Sequence, residues 1–195
     1  MRPLGLASLP ERLGSRPAAA RVLWLAAMAL GLEWARVLAA RRPEAALPAL
    51  VVGGLALSAL GLGFAPRELG LSRSRLGFRL LGGIVLGAVL LLPTVVRRSS
   101  VPMIPPPLAV AAIAVSIGEE IAFRGALFAA IERWLGAAPA IVGSTLVFVA
   151  GHVLSHPPQF LLAATAAGLL LAVWRWACDD LVAPVLAHCI ADLAL

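Results

Sequence analysis

Lysine is absent from this chain, and charge of either sign is scarce. Arginine supplies all 16 basic residues, Asp and Glu together number 10, and only 13% of positions are charged. An ordinary soluble domain would carry charge at about a quarter of its positions, so that class is excluded. No basic run is interleaved with aromatics, so the net charge of +6 does not describe a nucleic-acid surface, and no nucleic-acid partner is expected. The arginines stand between apolar segments, where membrane topology accounts for them. Arginine in place of lysine, with alanine, leucine and glycine dominant, fits a GC-rich coding sequence. Cysteine is scarce too: Cys178 and Cys189 lack CxxC spacing, suggest no disulfide framework and read as small apolar packing residues. The first long apolar run, residues 22–39, is broken by Glu33 and Arg36 and has no small-residue cleavage site behind it. No cleavable signal peptide is expected.

What the sequence does have is apolar length: 61% of it is hydrophobic and its mean hydropathy is +0.96. Apolar spans fall near 20–40, 44–64, 77–96, 105–130, 138–156, 159–175 and 178–194, each close to the ~20 residues that cross a hydrocarbon core. This pattern predicts an all-α fold, a polytopic transmembrane bundle of about seven helices. Residues 1–195 would form one integral domain of the cell membrane, with 1–19 a short interfacial lead-in. Arginine counting places ten residues on the side of the N-terminus against four on the other, which predicts a cytoplasmic N-terminus. Trp134, Trp174 and Trp176 then fall at the inner interface. Pro105, Pro106 and Pro107 open the fourth span, and Pro157 and Pro158 close the fifth, because proline lacks an N–H and restricts the residue before it.

That fourth span carries Glu119, Glu120 and Arg124 with apolar sequence on both sides. Three unpaired charges at a helix centre would cost on the order of 8–10 kcal/mol, so these side chains must face a protein interior or a cavity. Glu120 and Arg124, four apart, share a face and can pair. Glu119 is rotated by about 100° from Glu120, which makes Glu119 the carboxylate for chemistry and Glu120 the partner of Arg124. The next span holds Phe148 and His152 on one face, with Gly151 permitting close approach. His156 follows at the span's margin and is expected to be interfacial. The last span holds His188 and Asp192, again four apart, a spacing at which a carboxylate can fix an imidazole tautomer or share a metal with it. Asp179 and Asp180, where that span begins, suit helix caps. Together the three spans offer imidazoles and carboxylates that could bind a metal such as Zn2+ through Glu119, His152, His188 and Asp192, with a position left for water. A carboxylate beside that water would act as general base, and Arg124 or a histidine would meet the developing oxyanion.

Glu119-Glu120-x-x-x-Arg124, Phe148-x-x-x-His152 and His188-x-x-x-Asp192, in this order, resemble the signature of the CAAX protease and bacteriocin-processing (CPBP, or ABI) family of intramembrane proteases. The upstream stretch from Glu68 to Gly83, with Leu69-Gly70-Leu71 near its start, resembles a Leu-Gly-Leu-bearing loop that such proteins often carry. The resemblance implies an all-helical membrane core whose catalytic helices span 105–195. It also implies an endopeptidase acting on a membrane-associated protein or peptide, as in the CAAX prenyl endopeptidases, with the bilayer as its surroundings. Two mechanisms go with it: a zinc-bound water, or a metal-independent one in which Glu119 and His152 activate water while His188 and Asp192 shape the oxyanion site. The seven spans are one short of the eight of the eukaryotic enzymes, which bears on prenyl-substrate specificity. A non-catalytic immunity or scaffold protein and a proton-coupled transporter are the competing readings. A rhomboid-type serine protease is weaker, since Ser144 lacks the Gly-x-Ser-Gly setting.

Overall fold

Helices form wherever an apolar run of sufficient length is bounded by proline, glycine or arginine. A computed structural model describes residues 16–72, 74–96 and 104–194. Among the described residues there are seven helices and no strand: α1 (Arg16–Ala40), α2 (Pro43–Ala59), α3 (Leu76–Val96), α4 (Pro106–Leu135), α5 (Ala137–Gly151), α6 (Pro158–Cys178) and α7 (Val182–Ala194). Short 3-10 turns, Leu60–Gly63 and His152–Leu154, extend α2 and α5. Five of the helices are long and apolar enough to cross a membrane, while Leu76–Leu92 and Val182–Ala194 are shorter apolar helices. The expected lead-in lies outside the described residues over 1–15, and residues 16–19 already belong to α1.

The helix ends follow local chemistry. Pro43, Pro106 and Pro158 stand at first helical positions, where a missing N–H costs nothing. Gly136, at φ 95°, turns the chain from α4 directly into α5. The two acidic residues before α7 divide their work. Asp180 accepts the Val182 and Ala183 N–H groups, whereas Asp179, in the left-handed conformation, ends α6 and pairs with Arg175 at 2.8 Å. This corner is why α7 begins at Val182 rather than at 178. The loop carrying Leu69-Gly70-Leu71 is pinned from inside the bundle: the Gly70 carbonyl accepts from Leu181 and Arg79, and Arg175 donates to the Glu68 carbonyl at 2.8 Å.

α4 is the hub. It packs against α1, α2, α5 and α7, and residues 122–131 are buried on every face. Apolar side chains such as Leu23, Leu55, Leu81 and Leu162 instead point outward from the bundle. Within α4 the stretch Glu120–Leu127 is π-helical, with i→i+5 hydrogen bonding, a geometry frequent at functional sites. On its other side α4 touches α2 backbone to backbone. A Cβ at Gly54 would stand 2.4 Å from the Ala114 carbonyl oxygen, and one at Gly118 would stand 2.2 Å from the Gly54 carbonyl oxygen. Small residues allow such approach between membrane helices, where dispersion rather than hydrophobicity drives association. Gly118→Val is therefore expected to push the two helices apart and to cost about 1–3 kcal/mol or more. Thermal unfolding in detergent measures this, and an unchanged transition would mean that α2 can move away without penalty.

Candidate active site

Three helices contribute to one cluster. Glu119 stands halfway along α4, His152 at the end of α5, and His188 and Asp192 in the second half of α7. Because successive helices run in opposite directions, these positions fall in the same half of the bundle. Linear depth alone puts Arg124 one turn too far inward. Helical side chains lean toward the N-terminus of their helix, however, and the Arg124 guanidinium reaches back to Glu120.

Glu120 and Arg124 are fully buried and paired, Nη1 donating to Oε1 at 2.9 Å. The guanidinium also lies on the Phe148 ring, 3.9 Å from its centroid. The same Oε1 lies 2.9 Å from His188 Nδ1. A carboxylate only accepts, so His188 donates through Nδ1, which turns Nε2 toward Glu119 and Asp192. His152 repeats the arrangement: its Nδ1 donates to the Phe148 carbonyl at 2.9 Å. Its Nε2 likewise faces Glu119.

Three separations define the centre. Glu119 Oε2 lies 3.7 Å from His188 Nε2 and 4.0 Å from His152 Nε2, and Asp192 Oδ2 lies 3.6 Å from His188 Nε2. These are too long for direct hydrogen bonds and suit groups that share a bridging molecule. The sequence-derived residues Glu119, Glu120, Arg124, His152, His188 and Asp192 thus meet in one place. Ser116, one turn before Glu120 on α4, holds Asp192 with its hydroxyl at 2.8 Å.

A cavity of about 710 Å³ opens beside this centre. Glu119, Arg124, His152, His188 and Asp192 line one wall together with Arg36, and apolar side chains line most of the rest, among them Leu90, Leu108 and Leu170. His156 lies at the rim, half-buried and stacked on Phe160 at 3.9 Å between ring centroids. Burial holds its imidazole below its usual range, which favours the neutral form. Ser144, the alternative nucleophile, gives its hydroxyl to the Ile141 carbonyl within α5 and does not line the cavity.

Sequence reasoning missed two residues, Glu33 and Arg36 of α1, which had been read only as interruptions of an apolar run. Arg36 donates to Glu119 Oε1 at 3.0 Å and pairs with Glu33, which is buried. The signal that could have found them is the one that flagged Glu119: paired charges within a membrane-length apolar segment.

Residues 101–194 match the family described as type II CAAX prenyl endopeptidase Rce1-like. These residues, just under half of the chain, carry its similarity to the CAAX protease (CPBP) family. No curated protein and no solved structure matches the chain. The match and the five membrane-length apolar helices together support a multi-pass membrane protein similar to the CAAX-type proteases. The match covers α4 to α7 and leaves α1, with Glu33 and Arg36, outside it.

Donor chemistry at the centre suits a metal in kind, with two imidazoles whose Nδ1 atoms are anchored and two carboxylates. In spacing it does not: among the described residues no group of three or more His, Cys, Asp or Glu side chains is placed to hold an ion. Two guanidinium groups, of Arg36 and Arg124, already balance the neighbouring carboxylates.

Proposed function

We propose that this protein hydrolyses a peptide bond of a membrane-associated protein or peptide, with Glu119 as the general base. The observation that carries the reading is the gap of 3.7–4.0 Å between Glu119 Oε2 and the two imidazole Nε2 atoms, on the wall of a largely apolar cavity. A water in that gap would give its proton to Glu119 while its oxygen, oriented by His152, attacks the peptide carbonyl carbon. Glu119, now protonated, would return the proton to the departing amine as the C–N bond breaks. Charge on the carbonyl oxygen would be met from the side of His188 and Asp192 and by Arg124, whose Nε and Nη2 are buried without a hydrogen-bond partner. An apolar cavity suits a substrate that brings its own hydrophobic chain, such as a prenylated CAAX peptide. The arginine distribution supports a cytoplasmic N-terminus, which would set the site in the half nearer the outer face.

Zinc held by Glu119, His152, His188 and Asp192 is the competing proposal for the same centre, and would act by lowering the pKa of a bound water. The test uses detergent-purified wild type, His152→Ala and His188→Ala, a quenched-fluorescent farnesylated CAAX peptide, and metal content by mass spectrometry. Cleavage by wild type without stoichiometric zinc, and a fall in kcat of about 100-fold or more in His152→Ala, is the expected result. Near-stoichiometric zinc lost in both variants would replace the glutamate-only route. Full activity in His152→Ala would overturn both, and a wild type that cleaves nothing would favour a non-catalytic immunity or scaffold role.

A further inference from the structure

The site is not complete within α4 to α7. Arg36 of α1 places one guanidinium nitrogen, Nη2, between two carboxylates, accepting partners in Glu33 Oε2 and, at 3.0 Å, Glu119 Oε1. Its side chain is only 10% exposed, and that exposure is to the cavity. Both α1 residues occupy berths cut by glycine on neighbouring helices. A Cβ at Gly53 of α2 would come within 2.6 Å of Arg36 Cδ, and one at Gly151 of α5 within 3.2 Å of Glu33 Cγ. A charged pair facing lipid would need no such room. Burial of two carboxylates and a guanidinium is costly unless each charge has a fixed partner, and here a single cation serves both anions.

We propose that Arg36, braced by Glu33, is a positioning residue that fixes the rotation of the Glu119 carboxylate. With Oε1 held by Arg36, Oε2 is the oxygen left to face His152 and His188. Without that hold the carboxylate can turn toward Arg124 or away from the cavity, and a base that must meet a water at hydrogen-bond distance loses its alignment. Glu33 does not line the cavity and acts through Arg36. The assignment rests on Glu119 being the base, and it adds a helix that the family match does not include.

The experiment pairs kinetics with a stability cycle. kcat and KM on the farnesylated CAAX peptide are measured for wild type, Arg36→Gln, Arg36→Lys and Glu119→Gln. Thermal unfolding in detergent is recorded for wild type, Arg36→Gln, Glu119→Gln and the double variant. Arg36→Gln is expected to lose about 100-fold in kcat with KM within about threefold, and Arg36→Lys to recover part of that loss. The stability losses of Arg36→Gln and Glu119→Gln are expected to be non-additive, as for residues in direct contact. Wild-type kcat in Arg36→Gln, or additive stability losses, would overturn the inference. Should Arg36→Gln not fold, Arg36→Lys decides, since about tenfold lower kcat at unchanged KM supports positioning and wild-type kcat refutes it. The two readings fail differently. Activity in Glu119→Gln removes the proposed base itself, whereas an inactive Glu119→Gln beside a fully active Arg36→Gln removes only the role of α1.

Discussion

Glu119→Gln is expected to lower kcat by about 10³-fold or more while the protein remains folded, because an amide cannot take a proton from water. The fold should survive for a reason specific to this site. Arg36 keeps Glu33 as a charged partner when Glu119 is neutralised, and the amide oxygen can still accept its hydrogen bond at Oε1. The amide nitrogen can then donate toward His152, whose Nε2 carries a lone pair in the tautomer fixed by its Nδ1 bond. Size, packing and hydrogen bonding are therefore nearly preserved and only the basicity is removed. KM should stay within about threefold, the pattern of an interaction used in the transition state alone. Single-turnover cleavage of the farnesylated peptide, run beside a thermal unfolding trace, measures both halves of this expectation. Activity above about a tenth of wild type would show that the proton goes elsewhere.

Arg124→Leu should fail in the opposite way, through the fold. It leaves Glu120 fully buried with only His188 at Oε1, while Oε2 already has no hydrogen-bond partner. Removing one member of a buried ion pair costs about 3–5 kcal/mol, a large share of the stability of any single domain. Low yield and a strongly depressed unfolding temperature are expected. Adding Glu120→Gln removes the stranded charge and retains an amide oxygen for His188 Nδ1, so the double variant should regain most of the stability. It should not regain full activity, since the guanidinium donors beside the cavity are gone. If Arg124→Leu unfolds at the wild-type temperature, the pair contributes nothing to the fold and its place is explained by catalysis alone.

The sequence made the helices legible because each apolar run is as long as a bilayer is thick and is closed by residues that end helices for known reasons. Pro157 and Pro158 between α5 and α6, and Gly136 between α4 and α5, are such boundaries. Glu119, His152 and His188 were legible because ionisable groups in apolar helices need partners. Glu33 and Arg36 obey the same rule, but three residues apart they also satisfy each other, so nothing in their spacing points to a partner 83 positions away. The berths at Gly53 and Gly151 were invisible for another reason, since a glycine in a helix shows that room exists and not what fills it. The division between Asp179 and Asp180 required backbone angles that sequence does not carry.

The π-helical stretch of α4 has a consequence for length rather than for composition. A turn one residue wider than the regular helix shifts the phase of everything after it by about 100°. Glu119 therefore keeps its heading toward α1, α5 and α7, while Phe128 and Ile131 keep theirs toward the interior of the far half. The three residues between Glu120 and Arg124 have no side-chain chemistry that the site demands, yet their number is fixed. Losing one of them would let the helix relax to its ordinary pitch and swing one end of α4 out of step with the other. Along this segment, substitution should be tolerated far more readily than insertion or deletion.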